Sequence, residues 1–445
     1  MKQLVWTLLA AALFLWTGCS KSDSATELDV GSESLVWDSD VREYTVKLTA
    51  NGKWVAESNV YWCDPLKHSG EGSADLHVWV SPNLTSTARE GQITIRSAKA
   101  TRTIKVSQPA FKGSLDNYVY HLPVVFHVLY KDKTDENQYV KEGHLAKIID
   151  GVNQLYADNQ MNIRFEMAQY DNSGDELDEP GVERHEVSFD EYDPSLFLSS
   201  RHDDNHQYAE YAYNLKKFIN IFVFTFKSDD ESSQTLGIST MPIMPTAHQL
   251  DSLYTTDAAN DYAYVQSPWG CCINNKFIYE WQDDNTYNTR YVVTTLAHEL
   301  GHYLGLLHAF SDDECNNDDA CSDTHICDYD NYVNYINAYI NQQVAQGVKT
   351  LKMSVVSTRT DCLTLEEYQA HNIMDYAYCF CDELTAQQRA RTRYVLQYAP
   401  LVPGPKLVLY NTTGVISKGA NGEFTIDAPV RPCPAVPKGG GVLLH

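Results

Sequence analysis

The stretch Thr294-Thr-Leu-Ala-His-Glu-Leu-Gly-His-Tyr-Leu-Gly-Leu-Leu-His308 decides the fold of the larger part of this chain. His298 and His302 are four residues apart, so on a helix they project from one face about one turn apart, as two ligands of a single ion must. Apolar residues at helical spacing would anchor this helix against a core: Val292, Val293, Leu296, Leu300 and Leu304. The stretch therefore predicts a metal-binding helix.

The end of the stretch indicates a third ligand. A continued helix would rotate His308 away from His298 and His302, but Gly305 can take a left-handed conformation at little cost, end the helix and let the chain turn back. Three neutral imidazoles leave a zinc ion with an open position for water, which is typical of catalytic rather than structural zinc sites. We therefore expect Zn²⁺ as the cofactor.

Glu299 is the candidate catalytic base. It follows the first ligand, where it can reach a zinc-activated water without ligating the ion, accept its proton during attack on a peptide carbonyl, and pass that proton to the leaving amine. The alternative is a helix with core histidines and a surface glutamate. The extended form of the motif, with Gly305 and His308, favours the catalytic interpretation over this alternative.

The extended motif resembles the signature of the metzincin zinc peptidases, which also carry a methionine-containing turn. Asn372-Ile-Met-Asp-Tyr376 is a suitable turn, and its form resembles the pappalysin family within the metzincins. The resemblance covers roughly residues 117–398 and also includes the apolar run at 122–130 and Leu384-Thr-x-x-Gln-x-x-Arg391. It implies an α+β fold for residues 113–400: a metzincin-like catalytic domain with a mixed sheet, helices and a zinc-binding helix.

The same resemblance implies roles for further residues. Met374 would form a hydrophobic floor under the zinc. Tyr376 would either ligate the resting metal or stabilise the oxyanion, with simple packing in the wall of the site as the alternative. Leu236-Gly-Ile-Ser-Thr240 resembles the edge strand that pairs with extended substrate through main-chain hydrogen bonds.

Residues 27–110 have a different pattern. Short runs of alternating apolar residues, separated by turn formers such as Asn51-Gly52, predict a small all-β sandwich. The run from Arg89 to Ile95 and the closing Ile104-x-Val106-x-Gln108 resemble the BACON module of Bacteroidetes surface proteins. That resemblance implies glycan or mucin contact, with a plain spacer as the alternative. Four tryptophans either stack on sugars or fill the core: Trp37, Trp54, Trp62 and Trp79.

The N-terminus indicates export. Residues 1–18 resemble a bacterial lipoprotein signal peptide, Cys19 would be the lipidated residue, and residues 19–26 would be a flexible tether. A plain secretory signal with an incidental cysteine is the alternative. We expect an extracytoplasmic outer-membrane lipoprotein of the Bacteroidetes type, anchored by lipid and facing either the cell surface or the periplasm.

Composition limits the partners. The 445 residues carry a formal charge of -25, which argues against nucleic acid because phosphates would be repelled.

Ten cysteines besides Cys19 suggest disulfides in an exported protein. Acidic residues crowd the segment 312–328, which is either a Ca²⁺ site or a solvated acidic loop. Residues 401–445 form a Pro- and Gly-rich tail that is either a final strand pair or a loose extension.

Two function classes follow. The first is a zinc endopeptidase acting on protein or glycoprotein substrates. The alternative is a glycan-binding surface lipoprotein with an inactive peptidase fold, which the intact Glu299 and three histidines disfavour.

His202 and His206 lack an apolar helical face and are interpreted as surface loop residues. His127, within an apolar strand, is interpreted as a structural histidine.

Overall fold

The computed structural model describes residues 27–198, 208, 210–227, 235–255, 268–282, 287–376 and 378–408, together with the backbone of 430–434 and 443–444. The predicted signal peptide, Cys19 and the tether lie outside these residues, as do His202 and His206. Within the described part, no helix combines the length and apolar character needed to cross a membrane.

The N-terminal region is all-β, and its strands end at Gln108. It contains nine strands: β1 (Leu28–Val30), β2 (Ser34–Val36), β3 (Glu43–Ala50), β4 (Lys53–Ser58), β5 (Cys63–Pro65), β6 (Ser69–Glu71), β7 (Ala74–Val80), β8 (Arg89–Ser97) and β9 (Thr101–Gln108). They form one sheet in the order β1-β3-β7-β5 and a second in the order β2-β9-β8-β4-β6. Inward residues alternate with exposed ones along each strand, which confirms the predicted period of two.

Three of the four tryptophans lie in the core of this sandwich. Trp37, Trp54 and Trp62 are each at most 4% exposed, whereas Trp79 is half-buried. Of the two alternatives, core packing is therefore the one that holds for these three, because their rings pack against apolar neighbours. Their role is to fill a core that small strands alone would leave underpacked.

The larger region is a mixed α/β structure. Its elements are β10 (Tyr120–Tyr130), α1 (Glu136–Tyr139), α2 (His144–Asp158), β11 (Ile163–Met167), β12 (Val182–Glu186), α3 (Pro194–Leu198), β13 (Ile219–Phe224), β14 (Thr235–Thr240), β15 (Cys271–Asn274), α4 (Val292–Tyr303), α5 (Tyr329–Ala345), β16 (Thr350–Leu351), α6 (Met353–Val356), β17 (Thr358–Thr360), β18 (Glu367–Gln369), α7 (Ala386–Tyr398), β19 (Val430–Pro434) and β20 (Leu443–Leu444).

Seven of these strands form the central sheet. Its order is β11-β10-β13-β15-β14-β19, and β12 also pairs with β10. The strands up to β15 are parallel, whereas β14 runs antiparallel to β15 and to β19. The mixed sheet predicted from the sequence is present.

Helices α2 and α4 pack together on one face of this sheet. Gly151 of α2 faces Val293 of α4, where a Cβ on the glycine would lie 2.9 Å from the valine methyl carbons. The Tyr156 hydroxyl donates to the Ala297 carbonyl oxygen at 3.1 Å. Helix α2 is amphipathic, and its buried face consists of Leu145, Ile148, Ile149, Val152 and Tyr156. These contacts fix the position of the motif-bearing helix α4 in the core.

The cysteines pair less than predicted. Cys315 and Cys362 form a disulfide. The other described cysteines are free thiols: Cys63, Cys271, Cys272, Cys321, Cys327, Cys379 and Cys381. Cys271 and Cys272 form no bridge in this structure, because as consecutive residues of β15 they point into the apolar clusters on opposite faces of the sheet.

Candidate metal centre

Helix α4 ends in the way the sequence predicts. Gly305 has φ +92°, in the left-handed region. Its N–H donates to the His302 carbonyl oxygen at 2.8 Å, and the Leu306 N–H donates to the Gly301 carbonyl oxygen at 2.9 Å. This pair of bonds is a Schellman motif, which satisfies the last carbonyls of the helix and reverses the chain. The reversal brings His308 back to His298 and His302.

The two helical histidines are fixed in one tautomer. His298 Nδ1 lies 2.8 Å from the Ile373 carbonyl oxygen, and His302 Nδ1 lies 2.8 Å from the Leu306 carbonyl oxygen. Because a carbonyl can only accept, both Nδ1 atoms carry the hydrogen, and both Nε2 atoms present a lone pair. Outer hydrogen bonds of this kind orient histidine ligands in metal sites.

Three imidazole nitrogens converge at this point. His298, His302 and His308 each offer one ligand atom, and these atoms lie within 4.8 Å of one another; the Nε2 atoms of His302 and His308 are 2.9 Å apart. His298 Nε2 is buried and has no hydrogen-bond partner among the described residues. Burial lowers the pKa of His298 to about 4, so its ring is neutral near pH 7. An unpartnered buried lone pair on His298, with two further imidazole nitrogens beside it, fits Zn²⁺.

Glu299 lies beside this group and is fully buried. Neither of its carboxylate oxygens has a hydrogen-bond partner among the described residues, and burial raises its pKa well above the ordinary value. It lies against Gly237 of β14, where a Cβ would be 2.6 Å from Oε1. The glycine therefore makes the space that the carboxylate occupies.

The turn at residues 372–376 lies beneath α4. A Cβ on Gly301 would collide with the Met374 sulfur, so the methionine is packed directly under the helix. The Ala309 N–H donates to the Met374 carbonyl oxygen at 3.0 Å, and the neighbouring Ile373 carbonyl holds His298. Met374 is fully buried. The turn thus supports both the helix and the segment that carries the third histidine.

Tyr376 forms part of the wall of the site. Its ring centroid is 4.3 Å from that of His308 and 5.3 Å from that of His298, with the latter pair stacked. It also packs against Phe310 at 4.9 Å. The structure therefore brings Tyr376 to the histidines, as predicted, and its ring limits their movement.

Arg359 is a supporting residue that sequence reasoning missed. Its guanidinium forms a buried ion pair with Asp375 and donates to the Tyr376 carbonyl oxygen at 2.6 Å. Burial alone would lower the pKa of Arg359, but the Asp375 carboxylate raises it above its ordinary value. No local pattern marked this arginine, because it comes from the separate strand β17 and meets the turn only in the folded chain.

The stretch from Leu384 to Arg391 links the turn to the end of α4. Thr385 and Gln388 form a capping box at the start of α7, and the Gln388 side chain also bonds the Asn372 side chain at 2.9 Å. Arg391 Nε donates to the Gly305 carbonyl oxygen at 2.7 Å. These contacts explain why that stretch accompanies the motif.

The predicted substrate edge is not a free edge. β14 pairs on its outer side with the backbone of β19, and Gly237 is in register with Cys433. The expectation of an open edge strand at Leu236–Thr240 is therefore wrong for the chain as described. The sequence signal was local to β14 and carried no information on the partner almost two hundred residues away.

The acidic segment forms turns and caps. Asp319 accepts from the Cys321 N–H at 3.0 Å, Asp323 accepts from the Thr385 hydroxyl at 2.7 Å, and Asp328 caps α5. Of the part of the chain that is described, only two groups of residues converge as a metal would require, and neither includes these carboxylates. Of the two alternatives for this segment, the Ca²⁺ site gains no support from the described residues.

Comparisons with known proteins concern mainly the N-terminal region. Residues 39–109 match the BACON family model, described as "Putative binding domain, N-terminal". The match covers the N-terminal module, and a comparison with curated proteins found no match.

Solved structures give weak likenesses. A Bacteroides ovatus GH5 xyloglucanase in complex with a heptasaccharide is 14% identical over 45% of this chain and 46% of its own, with a TM-score of 0.19. A protein from Bacteroides thetaiotaomicron is 14% identical over 22% of this chain and 100% of its own, with a TM-score of 0.16. This chain spans less than half of the xyloglucanase. Because both TM-scores are low, neither likeness bears on activity.

Proposed function

We propose that this protein is a zinc-dependent endopeptidase of the metzincin type, similar to the pappalysins. The observation that carries the proposal is the convergence of the His298, His302 and His308 nitrogens beside the buried Glu299 carboxylate. The mixed sheet with one antiparallel strand over α4, and Met374 beneath that helix, support the same class.

His298, His302 and His308 would hold the ion. When bound, zinc supplies Lewis acidity, which lowers the pKa of water and polarises a carbonyl. Glu299 accepts the proton of the attacking water and delivers it to the leaving amine. The Ile373 and Leu306 carbonyls keep two of the imidazoles in the ligating tautomer.

Tyr376 lies where it can contribute to the reaction. Its ring packs on both His298 and His308, so its position depends on the same residues that hold the ion. We propose that it assists by stabilising the developing oxyanion, with wall packing as the alternative. Substitution by phenylalanine separates the two, because it keeps the ring and removes the hydroxyl.

Substrate would bind along β14. An extended peptide can add to this strand by main-chain hydrogen bonds. Since β19 pairs with the same side of β14, substrate and β19 would compete for it. The proposed enzyme is therefore expected to work best when β19 has left the sheet.

The N-terminal module supports a binding role in addition to cleavage. Its BACON match motivates the proposal that it contacts glycan on a glycoprotein substrate or on the cell surface. Such contact would have to use surface residues, because three of its tryptophans are buried. Anchoring through Cys19 in an outer membrane would keep the enzyme near these substrates. A glycan-binding lipoprotein without peptidase activity is the second candidate.

A cleavage map tests the proposal. Zinc-loaded protein comprising residues 27–445 would be incubated with a library of peptides and folded glycoproteins, and new termini would be identified by mass spectrometry. Cuts that vanish in the His302→Ala variant and after chelation, and that return when zinc is restored, support the endopeptidase. No cuts in any sample, with zinc bound to the unmutated protein, favour the binding protein.

A further inference from the structure

Three potential ligands meet on the face of the central sheet opposite α4. His127 lies on β10, and its register partner on the parallel strand β12 is Glu183, with His185 two residues further along the same face. Phe126 and Val128 alternate with His127 and point into the core that includes α4. The three side chains are therefore separated from the first metal centre by the sheet itself.

Their donor atoms form a compact triangle. His127 Nδ1 is 3.2 Å from His185 Nε2 and 3.7 Å from Glu183 Oε2, and the last two atoms are 3.5 Å apart. Zinc–nitrogen bonds of about 2.0–2.1 Å in a tetrahedral site place ligand atoms about 3.3–3.4 Å from one another. The triangle has the right size for one ion without movement of the backbone.

An outer hydrogen bond sets the tautomer of His127. Asn220 is oriented by the backbone of Tyr213: its Oδ1 accepts from the Tyr213 N–H at 2.7 Å, and its Nδ2 donates to the Tyr213 carbonyl at 3.1 Å. The same Oδ1 lies 2.9 Å from His127 Nε2, which must therefore carry the hydrogen. The lone pair of His127 is on Nδ1, inside the triangle. Histidine ligands in metal sites are commonly held in this way, with one ring nitrogen hydrogen-bonded to the protein and the other facing the ion.

The two histidines of the cluster are in the protonation state that binds a cation, whereas burial raises the pKa of the Glu183 carboxyl. Burial lowers the pKa of His127 to about 3 and that of His185 to about 4, so both rings are neutral near pH 7. His185 is held by stacking on Tyr211, with ring centroids 4.0 Å apart. Two neutral nitrogens and one carboxylate oxygen are ligands for first-row transition metals rather than for Ca²⁺ or Mg²⁺.

We propose that His127, Glu183 and His185 form a second metal site, which binds a first-row divalent transition metal ion and joins β10 to β12. The side chains of His185 and Glu183 are 14% and 38% exposed, so the site opens to solvent on the Glu183 side, where a fourth ligand can enter. The competing arrangement is a metal-free hydrogen bond from His185 Nε2 to His127 Nδ1, which needs no carboxylate.

Zinc stoichiometry distinguishes the two arrangements. Metal-free protein would be titrated with Zn²⁺, and bound zinc per chain would be counted by elemental mass spectrometry and calorimetry. We expect two zinc ions in the unmutated protein, one in His298→Ala/His302→Ala, one in His185→Gln, and none when all three substitutions are combined. Glu183→Gln should weaken the second binding event at least about tenfold, in line with the loss of a ligand.

The controls keep the two sites separate. His121→Gln removes another histidine of β10, paired with Glu166 at 2.6 Å but lacking a second imidazole, and should leave the zinc count unchanged. Melting curves of the metal-free variants check that they fold. One zinc in the unmutated protein and none in His298→Ala/His302→Ala would overturn the second site. One zinc that is lost only in His185→Gln would support the second site and argue against the first.

Discussion

The carboxylate of Glu299 lies against the backbone of Gly237 in β14, where a side chain would displace it. A Cβ there would be 2.6 Å from Oε1 and 2.7 Å from the Glu299 Cγ. The strand that would bind substrate and the proposed base are therefore in direct contact. The absence of a side chain at Gly237 in β14 leaves the space that the Glu299 carboxylate of α4 occupies.

Gly237→Ala should impair catalysis more than metal binding. The added methyl group pushes the Glu299 carboxylate from its position, and a displacement of about 1 Å can cost about 10²-fold in rate. The measurement is kcat/KM on a peptide substrate at equal zinc content. Gly31→Ala is the matched control, because its Cβ would meet nothing closer than 3.7 Å. Activity of Gly237→Ala within twofold of the control would contradict this role.

Glu299→Gln should stabilise the metal-free protein. Burial raises the pKa of Glu299, so the folded state binds its proton more tightly than the unfolded state does. Stability is then greatest below the ordinary carboxyl value of 4.5 and falls as pH rises above it. Glutamine cannot ionise, so the pH-dependent part of this penalty is absent and the variant should be the more stable protein near pH 7.

The test is denaturant unfolding of the metal-free protein and the variant between pH 5 and pH 8, a range chosen to span about three units above the ordinary carboxyl value. The difference between the two should grow with pH. A variant that is less stable than the unmutated protein throughout would show that the carboxylate has favourable contacts, against the buried position described above.

Gly305→Ala should weaken zinc binding and stability together. A Cβ at this residue would be strained by φ +92° and would lie 2.7 Å from Val395 Cγ2, so the turn that returns His308 must shift. Gly347→Ala is a matched control with φ +81° and no atom within 4 Å. It should lose only about 1 kcal/mol from backbone strain and keep its zinc affinity. Equal zinc affinities for the two variants would contradict the proposed role of the turn.

Arg359→Met should be among the most destabilising single changes. It leaves the Asp375 carboxylate buried without its partner, which we expect to cost about 3–5 kcal/mol. The double variant Arg359→Met/Asp375→Asn should recover part of this loss, since no charge is then buried. Unfolding free energies of the four proteins measure the coupling. A single variant within about 1 kcal/mol of the unmutated protein would show that the pair does not support the turn.

A chain ending at residue 408 should cleave peptides faster. Without β19 the outer side of β14 is open to an extended substrate, and we expect kcat/KM to rise about tenfold, the effect of about 1.4 kcal/mol. Zinc content and melting temperature check that the shortened protein is folded. An unchanged kcat/KM in a folded, zinc-loaded protein would mean that β19 does not compete with substrate.

Features that depend on residues close together in the sequence could be predicted, whereas features that depend on contacts between distant segments could not. Helix α4, its end at Gly305 and the return of His308 depend on neighbouring residues, so spacing and one glycine predict them. The apolar run at residues 122–130 likewise marks most of strand β10. The support of the turn by Arg359 depends on contacts between distant segments, and no local pattern marks it.

The second histidine cluster illustrates the same limit. His127 looked like a structural histidine because its neighbours in sequence are apolar. Its partner His185 is 58 residues away and is placed by the register of β10 with β12. Only the pairing of the strands shows that two imidazoles and a carboxylate meet. The pairing of β14 with β19 was missed for the same reason, because β19 lies far from β14 in the sequence.

The central claim is that one zinc centre, served by Glu299, performs the hydrolysis. The most direct test compares the rate of cleavage of one peptide by the unmutated protein and by Glu299→Gln, with zinc measured in the same samples. We predict equal zinc content and a rate lower by about 10²–10⁴-fold in the variant, the usual contribution of a general base. Equal rates at equal zinc content would contradict the claim.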